Sequence, residues 1–329
     1  MLLDNHGRPI NYMRLAVTDR CNLRCFYCMP EEGIQYLPQK QLLTYEEMIR
    51  ISKIFSREGI TKIRITGGEP FLRKDLMSFL TEIANIEDIE KISITSNGTL
   101  LIDKLEQLNA LGINSINLSL DSLDKKTFYD ITRRDELDIV LESFYKMIEM
   151  GFDVKINMVV MDGKNIKDIL PMLELAKKHP VQIRYIEEMP FNGTVGQGND
   201  AYWSHHKILD HIKEAHPSVA KLKDPLYSTS ANYGIDGFNG GFGIIAAFSR
   251  TFCGTCNRTR LTPTGTIKTC LYDSGVFNIK NMIRANASDE EIVMALKEAL
   301  NHRAKDGFEA EKRSILNGPI SESMAKIGG

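Results

Sequence analysis

The sequence predicts an α/β protein built on a parallel sheet that closes, or partly closes, into a barrel. Short apolar runs alternate with longer runs of helical period from Arg14 to Ile186, the pattern of strand, crossover helix and parallel strand. Strands give way to glycine or small polar residues, as at Gly67-Gly68, where such folds put their ligand loops. A chain of 329 residues with 43% hydrophobic content can fill a core of that size without staples.

The first strand is Arg14 to Thr18. Thr44-Tyr-Glu-Glu47 is a capping box: the threonine oxygen takes the amide of Glu47 while that carboxylate reaches back. It opens a helix to about Glu58, with Met48, Ile51, Ile54 and Phe55 on one face and Gly59 as its stop. The strand Lys62 to Ile65 runs into Gly67-Gly-Glu-Pro70. A helix over 74–84 leads to the strand Lys91 to Thr95, and a helix over 103–111 leads to the strand Ser115 to Leu120. Two helices flank the Asp135-Glu136 turn before the strand Val154 to Val160, and a helix over 166–178 precedes Gln182 to Ile186. That makes six strands, short of the eight of a full barrel.

Pro190 to Asn199 is rich in glycine and asparagine, and the domain boundary is expected there: 1–190 for the barrel, 191–316 for a smaller carboxy-terminal region and 317–329 for a flexible tail. Within the second region Ser204 to Ala215 is helical and Phe242 to Phe248 is a strand. Leu261 to Lys268 turns as a hairpin through Gly265, and Ser288-Asp-Glu-Glu291 is a second capping box, opening a helix to about Arg303. The last stretch, from Asn317 on, has too little apolar content for a core element.

A formal net charge of −2 with 26% charged residues gives no polybasic field, which argues against bulk attraction to nucleic acid or a membrane. An anionic ligand must then be held by a local group of arginines. Asp4, His6, Arg8 and Arg14 interrupt the first thirty residues, so no secretory signal is read there, no apolar run is long enough for a bilayer, and a cytoplasmic location is expected. All six cysteines fall in two tight groups, Cys21, Cys25, Cys28 and Cys253, Cys256, Cys270, which fits two metal centres better than a disulfide scaffold.

In Cys21-Asn-Leu-Arg-Cys25-Phe-Tyr-Cys28 the spacing also matches one face of a helix. Yet Arg20, Asn22 and Arg24 leave no wide apolar stripe, and Met29-Pro30 stops any helix. A structural zinc usually needs four closed ligands. Three thiols suit a four-iron cluster in which one iron stays open. Cys253-Gly-Thr-Cys256 with Cys270 is again a set of three: a zinc ribbon wants a fourth ligand, and a redox Cys-x-x-Cys leaves Cys270 unexplained. A second open cluster accounts for all three. Arg258 and Arg260, at alternate positions beside this set, point the same way in an extended segment and suit phosphate oxygens.

The three-cysteine loop followed one βα unit later by Gly67-Gly-Glu-Pro70 resembles the radical S-adenosylmethionine (SAM) enzymes. In them the cysteines hold a [4Fe-4S] cluster and the Gly-Gly-Glu-Pro motif, here with Gly68, holds the methionine amine. Tyr27 resembles the aromatic position that contacts SAM, with a packing aromatic as the alternative. Ser119, in Asn117-Leu-Ser-Leu-Asp121, and Met189 stand where a hydroxyl would reach SAM and a thioether would pack on adenine, or where ordinary strand-end residues would stand.

With both cysteine sets, the chain is more specifically similar to the MoaA family of GTP 3′,8-cyclases. The similarity runs through Gly7-Arg-Pro-Ile, Arg14 to Asn22, Cys28-Met-Pro, Ile65 to Arg73, Asn117 to Asp121, the second cysteine set and Gly328-Gly329. It implies a partial (βα)6 barrel of TIM type, the radical SAM core, with a smaller carboxy-terminal region whose second [4Fe-4S] cluster binds the guanine of GTP. It also implies that Arg14, Arg258 and Arg260 face the triphosphate, with Thr259 between the last two, that Arg64, Thr95 and Lys155 make the remaining substrate contacts, and that Gly328 and Gly329 enter the active site. The implied product is (8S)-3′,8-cyclo-7,8-dihydroguanosine 5′-triphosphate, the first intermediate toward molybdopterin, formed after a 5′-deoxyadenosyl radical takes the C3′ hydrogen. The family further suggests a homodimer, an electron donor of flavodoxin or ferredoxin type, and hand-off to a cyclic pyranopterin monophosphate synthase. No catalytic side chain is assigned beyond the cluster and cofactor ligands. Ala16 and Phe71 depart from the family's usual serine and smaller aliphatic residue, and nothing is assigned between Phe191 and Gly241. Two rival readings are a peptide-modifying radical SAM maturase, which usually carries more carboxy-terminal cysteines, and a non-catalytic iron–sulfur or zinc protein, which gives no reason for an open position in each set.

Overall fold

A computed structural model of the chain describes residues 1–29, 33–189, 202–315 and 324–327. An N-terminal hairpin pairs β1 (Leu2–Leu3) with β2 (Pro9–Ile10). Six strands then lie side by side in chain order: β3 (Tyr12–Ala16), β4 (Lys62–Thr66), β5 (Lys91–Ser96), β6 (Ser115–Ser119), β7 (Asp153–Val160) and β8 (Gln182–Glu187). All neighbours in this run are parallel. The crossovers carry α1 (Tyr45–Arg57), α2 (Leu76–Ala84), α3 (Leu105–Ala110), α4 (Lys125–Thr132), α5 (Leu137–Glu149) and α6 (Ile169–Lys178). These are the expected six strands. β3 starts two residues before the expected Arg14, because Tyr12 and Met13 are buried and pair with strands on both sides.

The sheet does not stop at the sixth strand. After α7 (His205–Ala215) come β9 (Ala220–Lys221), β10 (Ala231–Gly234) and β11 (Gly241–Ile245), and after them β12 (Arg258–Leu261), β13 (Thr266–Lys268) and β14 (Phe277–Asn278). β11 joins β8 in parallel and β12 joins β3 in parallel, so eight strands form one parallel array, β12-β3-β4-β5-β6-β7-β8-β11. The physical reason is the edge: β3 and β8 would otherwise present rows of unpaired backbone groups. The twelve-stranded sheet stays open, ending in β14 on one side and β9 on the other. The boundary expected near residue 190 falls between β8 and α7, and Pro190 to Asn199 lies outside the described residues.

Parallel strands packed on both faces usually read as continuous apolar runs. Here the alternation is sharp. Met13, Leu15, Ile63, Ile65, Ile116, Leu118, Ile156 and Met158 are buried in one apolar cluster with helix residues such as Met48, Ile51 and Leu80. The residues between them on the same strands, Tyr12, Arg14, Lys62, Arg64, Thr95, Asn117, Lys155 and Asn157, line a cavity on the other face. The inside of the curved sheet is therefore a polar chamber, which is what positions the site.

Both capping boxes form, Thr44 with Glu47 on α1 and Ser288 with Glu291 on α9 (Asp289–Asn301), and α9 is preceded by α8 (Ile279–Arg284). Gly265 turns the β12–β13 hairpin at φ +86°. After α10 (Gly307–Ile315) comes α11 (Met324–Ile327), which corrects one expectation. Ile327 is 1% exposed and packs with Tyr272, Ala304 and Ala310, so this part of the tail does supply a buried apolar side chain. Gly328 and Gly329 lie outside the described residues. Among the described residues no helix is long and apolar enough to cross a membrane.

Candidate active site

The first cysteine loop leaves the C-terminal end of β3 and is tied down from two directions. Its backbone amides at Arg24 and Phe26 donate to the carbonyls of Thr132 and Ile131 (2.9 and 3.1 Å) at the end of α4. From the other side Gly68 N donates to Thr18 O at 2.9 Å and Glu69 N to Arg20 O at 2.7 Å. A Cβ on Gly68 would sit 2.1 Å from Arg20 O, and one on Gly67 2.8 Å from Thr18 O. The double glycine is thus needed first for close docking of the β4 loop on the cysteine loop, a reason that the sequence alone did not supply.

Glu69 is 1% exposed and accepts from Asn97 N, Phe71 N and Ser96 Oγ (2.8, 3.2 and 3.0 Å). Burial pushes its carboxyl up to about 7 against these bonds. Asn97, held by Asn22 Oδ1 at 2.9 Å, turns its amide toward Cys21 Sγ at 3.8 Å. The Tyr27 hydroxyl donates to Asp121 Oδ2 at 2.8 Å, and Val159 N donates to the other oxygen at 2.8 Å. Burial drives Asp121 up to about 6. The Cys21 thiol is pushed up to about 11, by burial and then by Glu69; Cys25 is raised well above its usual value by burial, then Asp121, then Cys28 and Cys21. The three thiols are close enough to feel one another.

The second triplet is built by the β12–β13 hairpin, which brings Cys270 back beside Cys253 and Cys256. Asp273 Oδ2 accepts from Thr269 N (2.7 Å), Thr269 Oγ1 (2.9 Å) and Cys270 N (2.8 Å), shaping the return. Arg258 Nη2 lies 3.3 Å and Arg303 Nη2 3.1 Å from Cys256 Sγ. Burial would raise Cys256, but these two guanidinium groups outweigh it and hold the thiol down at about 6. Burial pushes Cys270 up to about 11.

Between the triplets lies a cavity of about 560 Å³, within the range of small-molecule sites. Cys21, Cys25 and Cys28 border it directly. The second triplet does not border it, but Phe252, Leu271 and Arg258, neighbours of its cysteines in the chain, do. Sheet register arranges the floor in two rows. Arg260, Arg14 and Arg64 are paired partners across β12, β3 and β4, and Arg258, Tyr12, Lys62 and Lys91 across β12 to β5. Lys62 Nζ lies 4.7 Å and Arg64 Cζ 5.7 Å from the centre of the Tyr12 ring. Burial and then Arg260 lower Arg14 well below the usual guanidinium value, and its Nε has no hydrogen-bond partner. Arg260 is pulled down to about 10 by burial and then Arg258, and Arg184 likewise by burial and then Arg64. Like charges side by side in a buried row are unfavourable by themselves and call for a polyanion.

Of the residues expected at the site, Tyr27, Gly68, Ser119, Met189, Arg14, Arg64, Thr95, Lys155, Arg258 and Arg260 all line this cavity. Thr259 does not. Strand alternation turns it to the other face, fully buried, with Oγ1 donating to Lys268 O at 3.2 Å. Met189 Sδ accepts from the Tyr272 hydroxyl at 3.0 Å. Sequence reasoning missed Lys62 and Arg184, which the two-residue period of β4 and β8 pointed inward, and Asp121, two positions after Ser119. It also missed Pro225 to Thr229, which line the cavity from the stretch left unassigned, and Met324. Nothing in the local sequence signals those last segments.

The donor set fits iron–sulfur chemistry: two thiol triplets, each without a fourth cysteine, beside a cavity that a ligand of an open iron can share. Among the described residues no three His, Cys, Asp or Glu side chains are placed to share a single metal ion.

Comparison with known proteins agrees with this geometry. Residues 15–176 match the Radical SAM superfamily, and residues 181–308 match Molybdenum Cofactor Synthesis C. The GTP 3′,8-cyclase of Syntrophomonas wolfei is 40% identical over 334 residues, covering 100% of both chains. Molybdenum cofactor biosynthesis protein 1 of Bos taurus is 39% identical over 305 residues, 92% of this chain; the chain spans about half of that longer relative, 48%. Among solved structures, anSMEcpe with bound AdoMet superposes with a TM-score of 0.59 at 18% identity, covering 93% of this chain and 83% of that one, a likeness of fold. The chain belongs to the radical SAM family of GTP 3′,8-cyclases.

Proposed function

We propose that this chain converts GTP to (8S)-3′,8-cyclo-7,8-dihydroguanosine 5′-triphosphate, the first step of molybdenum cofactor biosynthesis. One observation carries the reading: a single cavity is lined by one thiol triplet, by residues next to the second triplet, and by in-register rows of arginine and lysine. Family membership supports it.

SAM and a [4Fe-4S] cluster on Cys21, Cys25 and Cys28, when bound, supply the 5′-deoxyadenosyl radical that takes the C3′ hydrogen; C3′ then bonds to C8 of guanine. The chain's own residues hold, orient and shield. Gly68 and its neighbours offer backbone to the methionine end, while Tyr27, fixed by Asp121, Ser119 and Met189 border the nucleoside end. Arg14, Arg64, Arg258 and Arg260, with Lys62, Lys155 and Arg184, would neutralise a triphosphate, and bidentate guanidinium contacts would fix its direction. Thr95 adds a buried hydroxyl without a partner of its own. Cys253, Cys256 and Cys270 would hold a second cluster whose open iron takes the guanine. Gly328 and Gly329 complete the site in this reading. A flavodoxin- or ferredoxin-type donor, a homodimer and delivery to a cyclic pyranopterin monophosphate synthase belong to the same proposal.

The test is anaerobic reconstitution, an iron count of about eight per chain, and 5′-deoxyadenosine release with reductant and SAM. Release that depends on GTP supports the cyclase. Release indifferent to GTP, or none, overturns it.

A further inference from the structure

Behind the second triplet is a buried charge cluster that the steps above leave unused. Arg303, just past α9, is 2% exposed. Its Nε donates to Thr269 O (3.0 Å), Nη1 to Asp4 Oδ2 and Cys256 O (3.1 and 2.9 Å), and Nη2 to Arg258 O and Cys256 Sγ (3.0 and 3.1 Å). A guanidinium has five N–H bonds, so every one is engaged. Asp4 also binds Arg8 at 2.6 Å, and Arg8 reaches Cys253 O at 3.0 Å, Lys305 O at 2.6 Å and Ala304 O at 2.9 Å. Arg8 of the N-terminal hairpin and Arg303, bridged by Asp4, thereby clamp the second cysteine loop, and all three side chains are buried. Around the first triplet the buried ionisable neighbours are the carboxyls of Glu69 and Asp121, while Arg24 is turned onto the carbonyls of Cys21 and Leu23.

We propose that Arg303, held in place by Asp4, is a positioning residue for the second iron centre that orients Cys256 and raises this centre's reduction potential. The inference rests on the reading that each triplet holds a [4Fe-4S] cluster. Reduction adds one electron from an external reductant, takes the cluster from the 2+ to the 1+ state and forms or breaks no bond. An N–H···S bond and a nearby positive charge stabilise the more negative, reduced form.

The test is a redox titration of the reconstituted protein with dithionite and mediators, read by electron paramagnetic resonance, with iron counted in parallel. Arg303→Met lowers its reduction equilibrium tenfold or more, which is about 59 mV for one electron, and leaves the first centre unchanged. Asp4→Asn, which removes the compensating carboxylate, moves the second centre the other way. Should Arg303→Met shed the second irons and keep the first, orientation by Arg303 is supported, and the potential is read in Arg303→Lys, which keeps the charge without the fork. No shift in any variant with full iron, or equal shifts at both centres, overturns the proposal. An iron content of about four in wild type would instead sink the two-cluster reading on which it stands.

Discussion

The two cysteine triplets are equal in number of thiols and different in surroundings. The first lies among buried acids, Glu69 and Asp121, with Cys21 pushed up to about 11. The second lies against Arg258 and Arg303, which bring Cys256 down to about 6 despite burial. The spacing of cysteines states which groups can be ligands; the field around them is set by residues delivered from elsewhere. Arg303 is 47 positions from Cys256 in sequence, and Asp121 reaches the first loop from the end of β6. Two thiol sets of equal size are thereby given different fields beside one cavity.

The sharpest way to break this contrast is to delete one thiol at a time. Cys21→Ala should abolish SAM cleavage and leave about four irons per chain, whereas Cys256→Ala should leave about four and retain reductive SAM cleavage uncoupled from GTP. Equal loss of cleavage in both would mean that the centres are not separable. Next comes the cationic floor. Arg260→Ala or Arg14→Ala should lower kcat/KM for GTP by about 10²–10³-fold, the scale for one lost electrostatic contact, with iron content and SAM binding unchanged. An effect on SAM binding of similar size would place these arginines on the wrong side of the comparison.

A smaller effect separates the thiols in iron-free protein. At pH 7 iodoacetamide should modify Cys256 roughly tenfold or more faster than Cys21 or Cys270, since the thiolate is the nucleophile. The sign follows from the shifts: Cys256 gains reactivity as pH rises through about 6, while Cys21 and Cys270 stay protonated until about 11. Labelling of Cys21 first would reverse the assignment of fields. Smallest of all, Thr44→Ala and Ser288→Ala each should cost ~1 kcal/mol in denaturant unfolding through loss of a cap, with neither triplet affected.

Much of the barrel was legible because its signals are local. Thr44 with Glu47 and Ser288 with Glu291 lie three residues apart and fold as read. The six strands from β3 to β8 followed from a period of two set between helical runs. Arg258 and Arg260 were readable as a pair for the same reason, and the same alternation explains why Thr259 between them faces Lys268 instead. What was not legible is what depends on register or on edges. β11 and β12 extend the sheet because β8 and β3 leave backbone unpaired, and no pattern within either strand names its partner. Ile327 looked like part of a polar tail until Tyr272, Ala304 and Ala310 offered a place to bury it.

By itself the sequence determined the donor types, their grouping in threes, the order of strands and helices, and the family to which the chain belongs. Such features are carried by residues a few positions apart, where covalent spacing already limits what they can do. Tertiary structure alone decided that Arg260, Arg14 and Arg64 stand in one row, that Gly68 is needed against Arg20, and that one triplet meets carboxyls while the other meets guanidinium groups. Charge and contact act through space, and the distances on which they depend exist only once strands far apart in the chain have paired.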